Sequence, residues 1–257
     1  MRICITGENI MPYIERTITA GKVKEVTKYH TFKYKSPKKP RGQNSNSTPI
    51  LMAKVNQRKA EDKLRLLLNE NFRENDLYLT LTYEKDTPDA AEAKSNITRF
   101  IRKLRDCYKK IGSALKYVAV TEYGRKRIHH HMLINYAIGI GKGIIKKVWA
   151  FGFSKIDLFG GEPDDCERLA NYLVKETSKT FNTDEKIHGL RWIGSKNLVH
   201  PVAEKRVVSA SSWREQPKPV KGYYIDVVKS GINQQDYPYQ FYRLIKIEGY
   251  EKPQKNE

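Results

Sequence analysis

The sequence predicts an α+β fold, because strand patterns and helix patterns alternate along the central part of the chain. Residues 77–83 alternate apolar and polar side chains, as a strand with one buried face does. Residues 97–111 instead repeat their apolar side chains at helical spacing. Two further strand candidates, 115–123 and 129–135, are joined by a short loop and predict an antiparallel hairpin.

Elements on the N-terminal side follow from local signals. Residues 16–18 and 23–34 are rich in β-branched and aromatic side chains, which favour strands. A helix is predicted from Thr48 to about Glu70, because Thr48 suits the capping position and Pro49 suits the first turn.

Elements on either side of the hairpin are read in the same way. Thr87 and Pro88 start the helix that contains 97–111, and Gly112 ends it. Residues 144–149 predict a short helix, and residues 153–159 predict another strand.

These elements divide the chain into three parts. Residues 1–47 form a basic, β-prone N-terminal segment and linker, in which 33–41 carry five basic residues and no acid. Residues 48–182 form the central domain. Residues 183–257 form a C-terminal extension without a catalytic pattern.

Charge indicates the kind of partner. The chain has 48 Lys and Arg against 29 Asp and Glu, a net charge of +19, which predicts attraction to a polyanion, most simply nucleic acid. We expect no membrane partner, because no long apolar segment or lipidation motif is present. The 3 cysteines have no metal-site spacing, and the first twenty residues are unlike a signal peptide. Both observations predict a cytoplasmic location.

Three consecutive histidines precede an apolar run in the second strand of the hairpin. Side chains alternate along a strand, so His129 and His131 share one face and His130 points to the other. With an even number of loop residues, Glu122 falls on the same face as His129 and His131. Glu122, His129 and His131 are therefore candidate ligands of one metal ion.

Other interpretations of the triplet stay open. Consecutive histidines also occur on solvated surfaces. A closed structural zinc site is disfavoured, because suitable cysteines are missing. Imidazole with carboxylate suits Mn²⁺ or Mg²⁺ acting on phosphate about as well as zinc.

A further helix is predicted after the turn at residues 160–163, with the apolar stripe Cys166, Leu169, Ala170 and Leu173. Tyr172, Lys175 and Lys179 lie along an adjacent face. A tyrosine at the edge of such a stripe is more often packing than catalysis. Ammonium groups one and two turns away can nevertheless stabilise a phenolate and the phosphate that it attacks.

Three motifs occur in a fixed order: a strand at 79–83, His-x-His before an apolar strand at 129–134, and Tyr-x-x-Lys on a helix at 172–175. In this order they resemble the HUH endonuclease superfamily, in particular its rolling-circle replication initiators. Residues 149–152 and 194–198 look like replication proteins of small single-stranded DNA phages of the gokushovirus type and of related prophages or plasmids. The middle of the second motif departs from the pattern, since that position is usually apolar.

The resemblance implies a central, mostly antiparallel sheet with helices packed on it, and a reaction on single-stranded DNA. Glu122, His129 and His131 would hold Mn²⁺ or Mg²⁺. Tyr172 would attack the scissile phosphate and form a 5′-phosphotyrosyl intermediate, and Lys175 would stabilise the phosphate or the phenolate. The implied partners are a single-stranded DNA origin and a host helicase and polymerase, in the cytoplasm of a bacterial host.

Three other functions remain open at this point. A relaxase or transposase of the same superfamily would share the chemistry and differ in its DNA target. A non-catalytic nucleic-acid-binding protein would explain the charge but not the Glu/His/His face. A zinc hydrolase or deaminase is the third, although the Pro-Cys-x-x-Cys ligands of zinc deaminases are absent.

Overall fold

A computed structural model describes residues 13–31, 50–84, 88–123, 128–178, 191–208, 212–232 and 237–250. It confirms the α+β class and separates two compact units, one of residues 48–200 and one of residues 1–47 with 201–257. The predicted basic run at 33–41 and the predicted helix start at Thr48 lie outside the described residues.

The strands and helices alternate largely where the sequence predicts them. The strands are β1 (Tyr13–Ala20), β2 (Val23–His30), β3 (Leu77–Thr82), β4 (Tyr117–Tyr123), β5 (Ile128–Ile134), β6 (Ser154–Leu158), β7 (Ile193–Gly194), β8 (Ala203–Val208), β9 (Tyr223–Ile232) and β10 (Pro238–Lys246). The helices are α1 (Ile50–Asn71), α2 (Ala90–Lys110), α3 (Lys142–Val148) and α4 (Pro163–Ser178).

Helix α2 begins later than its sequence predicts. Pro88 precedes the helix, and the carboxylate of Asp89 caps it by accepting a hydrogen bond from the Glu92 backbone N–H at 2.7 Å. The aspartate satisfies an otherwise unpaired N–H group of the first turn, so the helix starts at Ala90.

One antiparallel sheet organises residues 48–200, with strand order β6-β3-β5-β4-β7. Strand β5, which carries the three histidines, is central and pairs with β3 on one side and β4 on the other. Buried central strands need apolar side chains on both faces, and residues 132–134 of β5 are all fully buried.

Helices cover both faces of this sheet, and each face has its own core. On one face, Phe100 and Leu104 of α2 pack with Leu79 of β3 and Met132 of β5. On the opposite face, helices α1 and α4 pack with β4 and β5 through Leu68, Leu173, Val118 and Leu133. His130 shares the face of Met132, whereas His129 and His131 share the face of Leu133, under α4.

A glycine turn fixes where α4 begins. Gly161 has φ of 76°, a conformation that disfavours side chains, and a Cβ there would overlap the backbone of Arg73 and Glu74 just after α1. Close contact at this turn brings α4 beside α1, and the two helices bury Leu64 and Leu173 completely. Burying a leucine contributes about 2 kcal/mol.

The second unit is an antiparallel sheet of order β8-β1-β2-β10-β9. Its strands come from both ends of the chain, with β2 paired to β10 and β1 paired to β8. Val26, Tyr242 and Leu244 form a small buried cluster on it. Across the described ranges of both units, no helix has the length and apolar character needed to cross a membrane.

Candidate active site

The hairpin of β4 and β5 brings the three predicted metal ligands together. Glu122 lies directly opposite His129 in the antiparallel register, which is one of the two registers that the sequence allows. One ligand atom from each of Glu122, His129 and His131 lies within 4.8 Å of the others. The Oε2 atom of Glu122 lies 3.1 Å from Nε2 of His131, its diagonal neighbour across the strands.

These side chains fit a divalent metal ion. Two imidazole nitrogens and one carboxylate oxygen converge on the same side of the sheet, and this donor set is common at transition-metal sites. His131 is only 4% exposed, whereas His129 and Glu122 are partly exposed. The cluster therefore has a buried base and an open side from which a substrate can approach.

Burial sets the protonation state of His131. Burial, and then the neighbouring His129, lower the pKa of His131 to about 4, while Glu176 acts in the opposite direction. The imidazole is therefore neutral near pH 7, which is the form that binds metal ions.

Helix α4 places Tyr172 over this cluster. The Tyr172 ring meets the His131 ring edge to face, with centroids 5.3 Å apart, and its hydroxyl lies 3.3 Å from Nε2 of His131. Tyr172 is 41% exposed, so its oxygen can reach both the cluster and a bound substrate.

The surroundings of Tyr172 disfavour its phenolate. Burial, then Glu122 and Glu176, raise the pKa of the Tyr172 hydroxyl. Positive charge is therefore needed beside this oxygen before it can act as a nucleophile at neutral pH.

Lys175 is the predicted source of part of that charge. It lies one helical turn after Tyr172, and its side chain is exposed. Lys179 lies outside the described residues.

Glu176 is a site residue that the sequence analysis missed. It is 9% exposed, follows Tyr172 by four residues, and acts electrostatically on both Tyr172 and His131. The helical i, i+4 spacing from Tyr172 was the available signal. A second carboxylate therefore faces the cluster from α4, opposite Glu122 on the sheet.

His130 lies on the other face of β5 and belongs to the core. It is fully buried, its Nε2 lies 2.9 Å from the Tyr83 hydroxyl, and its Nδ1 lies 2.9 Å from the Thr121 hydroxyl. Its ring also meets Trp149 edge to face. Both nitrogens are thus satisfied without solvent, as a buried imidazole requires.

A family model described as a replication-associated protein, of the ORF2 type, matches residues 76–181. The matched segment runs from just before β3 to just after α4, and so includes the metal-ligand cluster and Tyr172. No curated protein and no solved structure matches the chain. The family match supports a replication initiator, a class of protein that binds DNA.

Proposed function

We propose that this protein is an HUH-type endonuclease that nicks and rejoins single-stranded DNA to initiate rolling-circle replication. The observation that carries the proposal is the position of Tyr172, whose hydroxyl lies 3.3 Å from a histidine of the Glu/His/His cluster. A tyrosine nucleophile beside a candidate metal site is the arrangement that phosphoryl transfer to tyrosine requires.

The residues divide the work of one transesterification. The Tyr172 oxygen attacks the scissile phosphorus, the bond from phosphorus to the 3′-oxygen breaks, and a 5′-phosphotyrosyl linkage remains. The leaving 3′-oxygen takes up a proton, which balances the proton that Tyr172 loses. The free 3′-hydroxyl can prime synthesis, and the reverse reaction rejoins a finished strand.

Charge at the site supports this chemistry. Glu122, His129 and His131 would hold Mn²⁺ or Mg²⁺, which when bound would supply the positive charge that polarises the scissile phosphate. Exposed Lys175 would lie along the phosphate on the helix side. Glu176 is placed to accept the proton from Tyr172, since it follows one turn later on the same helix.

The net charge of +19 suits single-stranded DNA as the partner. The proposed setting is the cytoplasm of a bacterial host that provides a helicase and a polymerase, as for phages of the gokushovirus type and related prophages or plasmids. The same chemistry serves relaxases and transposases, so the DNA target separates replication from mobilisation.

Incubation with labelled single strands of random sequence tests the proposal. With Mn²⁺, we expect a protein–DNA adduct that survives SDS and a shorter product with a free 3′-hydroxyl. EDTA should abolish both products. Tyr172→Phe should bind the same DNA but form no adduct, because it lacks the attacking oxygen.

A matched control separates this role from a general loss of tyrosine. Tyr136 is also exposed and lies in the same unit, and Tyr136→Phe should form the adduct at the wild-type rate. DNA binding without any adduct in the wild type would show a non-catalytic binding protein. An undiminished adduct in Tyr172→Phe would assign the attack to another residue.

A further inference from the structure

Tyr78 contacts the most buried of the candidate metal ligands from below. Its hydroxyl lies 2.9 Å from Nδ1 of His131, the ring nitrogen that faces away from Glu122 and Tyr172. The two rings are also stacked, at an interplanar angle of 8° and a centroid distance of 6.0 Å. Strand β3 supplies this contact because Tyr78 and Thr80 point to the same face of the sheet as His131.

The two nitrogens of a metal-binding histidine have different partners. One nitrogen binds the ion through its lone pair, and the other usually donates its N–H to an acceptor that fixes the ring orientation. In His131, Nε2 faces the cluster and Nδ1 faces Tyr78. The structure therefore assigns the outward nitrogen to the ion and the inward nitrogen to the tyrosine.

A hydroxyl suits this position because it both donates and accepts hydrogen bonds. Without an ion, Nε2 faces the carboxylate of Glu122, which only accepts, so the proton belongs on Nε2 and Tyr78 donates to Nδ1. With an ion on Nε2, the proton belongs on Nδ1 and the Tyr78 oxygen accepts it. Burial raises the pKa of Tyr78 above its ordinary value, so its hydroxyl keeps its proton in both cases.

We infer that Tyr78 is a positioning residue that holds His131 for the metal ion and accommodates the change of tautomer when the ion binds. The inference rests on the metal site of the proposed function. It adds a residue outside the Glu/His/His set and outside the Tyr-x-x-Lys helix.

The chain contains a matched control on the same stretch. The Tyr83 hydroxyl lies 2.9 Å from Nε2 of His130, so it makes a contact of the same length and chemistry with the neighbouring histidine. That contact lies on the opposite face of the sheet, in the core with Trp149. Tyr78→Phe and Tyr83→Phe therefore remove the same atom, but only the first removes it beside the cluster.

Calorimetric titration of the full chain with Mn²⁺ alone, near neutral pH, tests the inference without DNA or turnover. Tyr78→Phe should weaken Mn²⁺ binding by about 10- to 100-fold, the range found when the outer partner of a ligand histidine is removed. Tyr83→Phe should change the Kd less than about threefold, since its hydroxyl contacts no ligand. His131→Ala should remove the binding altogether.

The outcomes separate the two claims. If the wild type binds Mn²⁺ and folded Tyr78→Phe binds it equally well, the positioning role is wrong while the metal site stands. Equal weakening by Tyr83→Phe would assign the effect to general loosening of the sheet and would also overturn the role. A wild type that binds no Mn²⁺ would overturn both the positioning role and the proposed metal site.

A second measurement needs no variant, so it holds even if Tyr78→Phe fails to fold. Nitrogen-15 NMR of the histidine rings reports which nitrogen carries the proton. With Zn²⁺, a diamagnetic ion that accepts imidazole and carboxylate ligands, we expect His131 to carry its proton on Nδ1. A proton on Nε2 in the Zn²⁺-bound protein would contradict the inference.

Discussion

His130 shows how one residue of the triplet differs in role from its two neighbours. Its sequence position departs from the apolar residue that the resemblance leads one to expect, yet it occupies an apolar site. Tyr83 and Thr121 satisfy both ring nitrogens, and Trp149 packs against the ring. Its polarity is thus neutralised locally, and the side chain contributes to the core rather than to the cluster.

The first prediction at this scale concerns stability. His130→Ala should lower the free energy of unfolding by roughly 2–4 kcal/mol, because it opens a cavity and leaves two buried hydroxyl groups without partners. Denaturant unfolding measures this loss. His129→Ala is the control, and it should stay within about 1 kcal/mol of the wild type because its side chain is partly exposed. Equal stability of the two variants would contradict the core role of His130.

Strand alternation allowed part of the site to be predicted from sequence. The alternation put Glu122, His129 and His131 on one face, and the hairpin register confirms that placement. The contact between Tyr78 and His131 was not predictable in this way. Residues 83–116, which include α2, separate β3 from β4 along the chain, and alternation specifies which residues share a face but not which strand is the neighbour.

At the scale of elements, helix α4 brings Tyr172 to the sheet, and its anchoring is open to measurement. Cys166 lies on the buried side of this helix and is fully buried in the core with Leu173. Burial raises the pKa of its thiol to about 12. Near pH 8 only about one thiol in ten thousand is therefore ionised, and the thiolate is the form that reacts.

Native-state alkylation should therefore modify Cys107, which is half-buried on α2, much faster than Cys166. Labelling of Cys166 should rise only with denaturant, because it needs α4 to leave the sheet. Mass spectrometry of the peptides identifies each modified thiol. Fast labelling of Cys166 in the native protein would show that α4, and Tyr172 with it, is loosely held.

At the scale of the whole molecule, the two ends of the chain share one sheet. Strand β2 pairs with β10, more than two hundred residues away. The alternating pattern of residues 23–34 predicted a strand, but no local signal identifies so distant a partner. For the same reason the sequence analysis described the two ends as separate segments, whereas the structure groups residues 1–47 with 201–257.

Charge is the property of the whole molecule that governs DNA binding. With a net charge of +19, the protein should release many counterions when it binds single-stranded DNA. We expect affinity to fall by about a thousandfold between roughly 50 and 200 mM salt. Fluorescence anisotropy at several salt concentrations measures the slope, and Tyr172→Phe should share it. An affinity independent of salt would contradict binding through the phosphate backbone.

The central claim is that Tyr172 becomes covalently linked to DNA, and mapping of the adduct tests it most directly. Wild-type protein is incubated with single-stranded DNA and Mn²⁺, digested with protease and nuclease, and analysed by tandem mass spectrometry. The account predicts a nucleotide attached through its 5′-phosphate to the oxygen of Tyr172. A nucleotide on any other residue, or a cleaved strand with no attached protein, would contradict it.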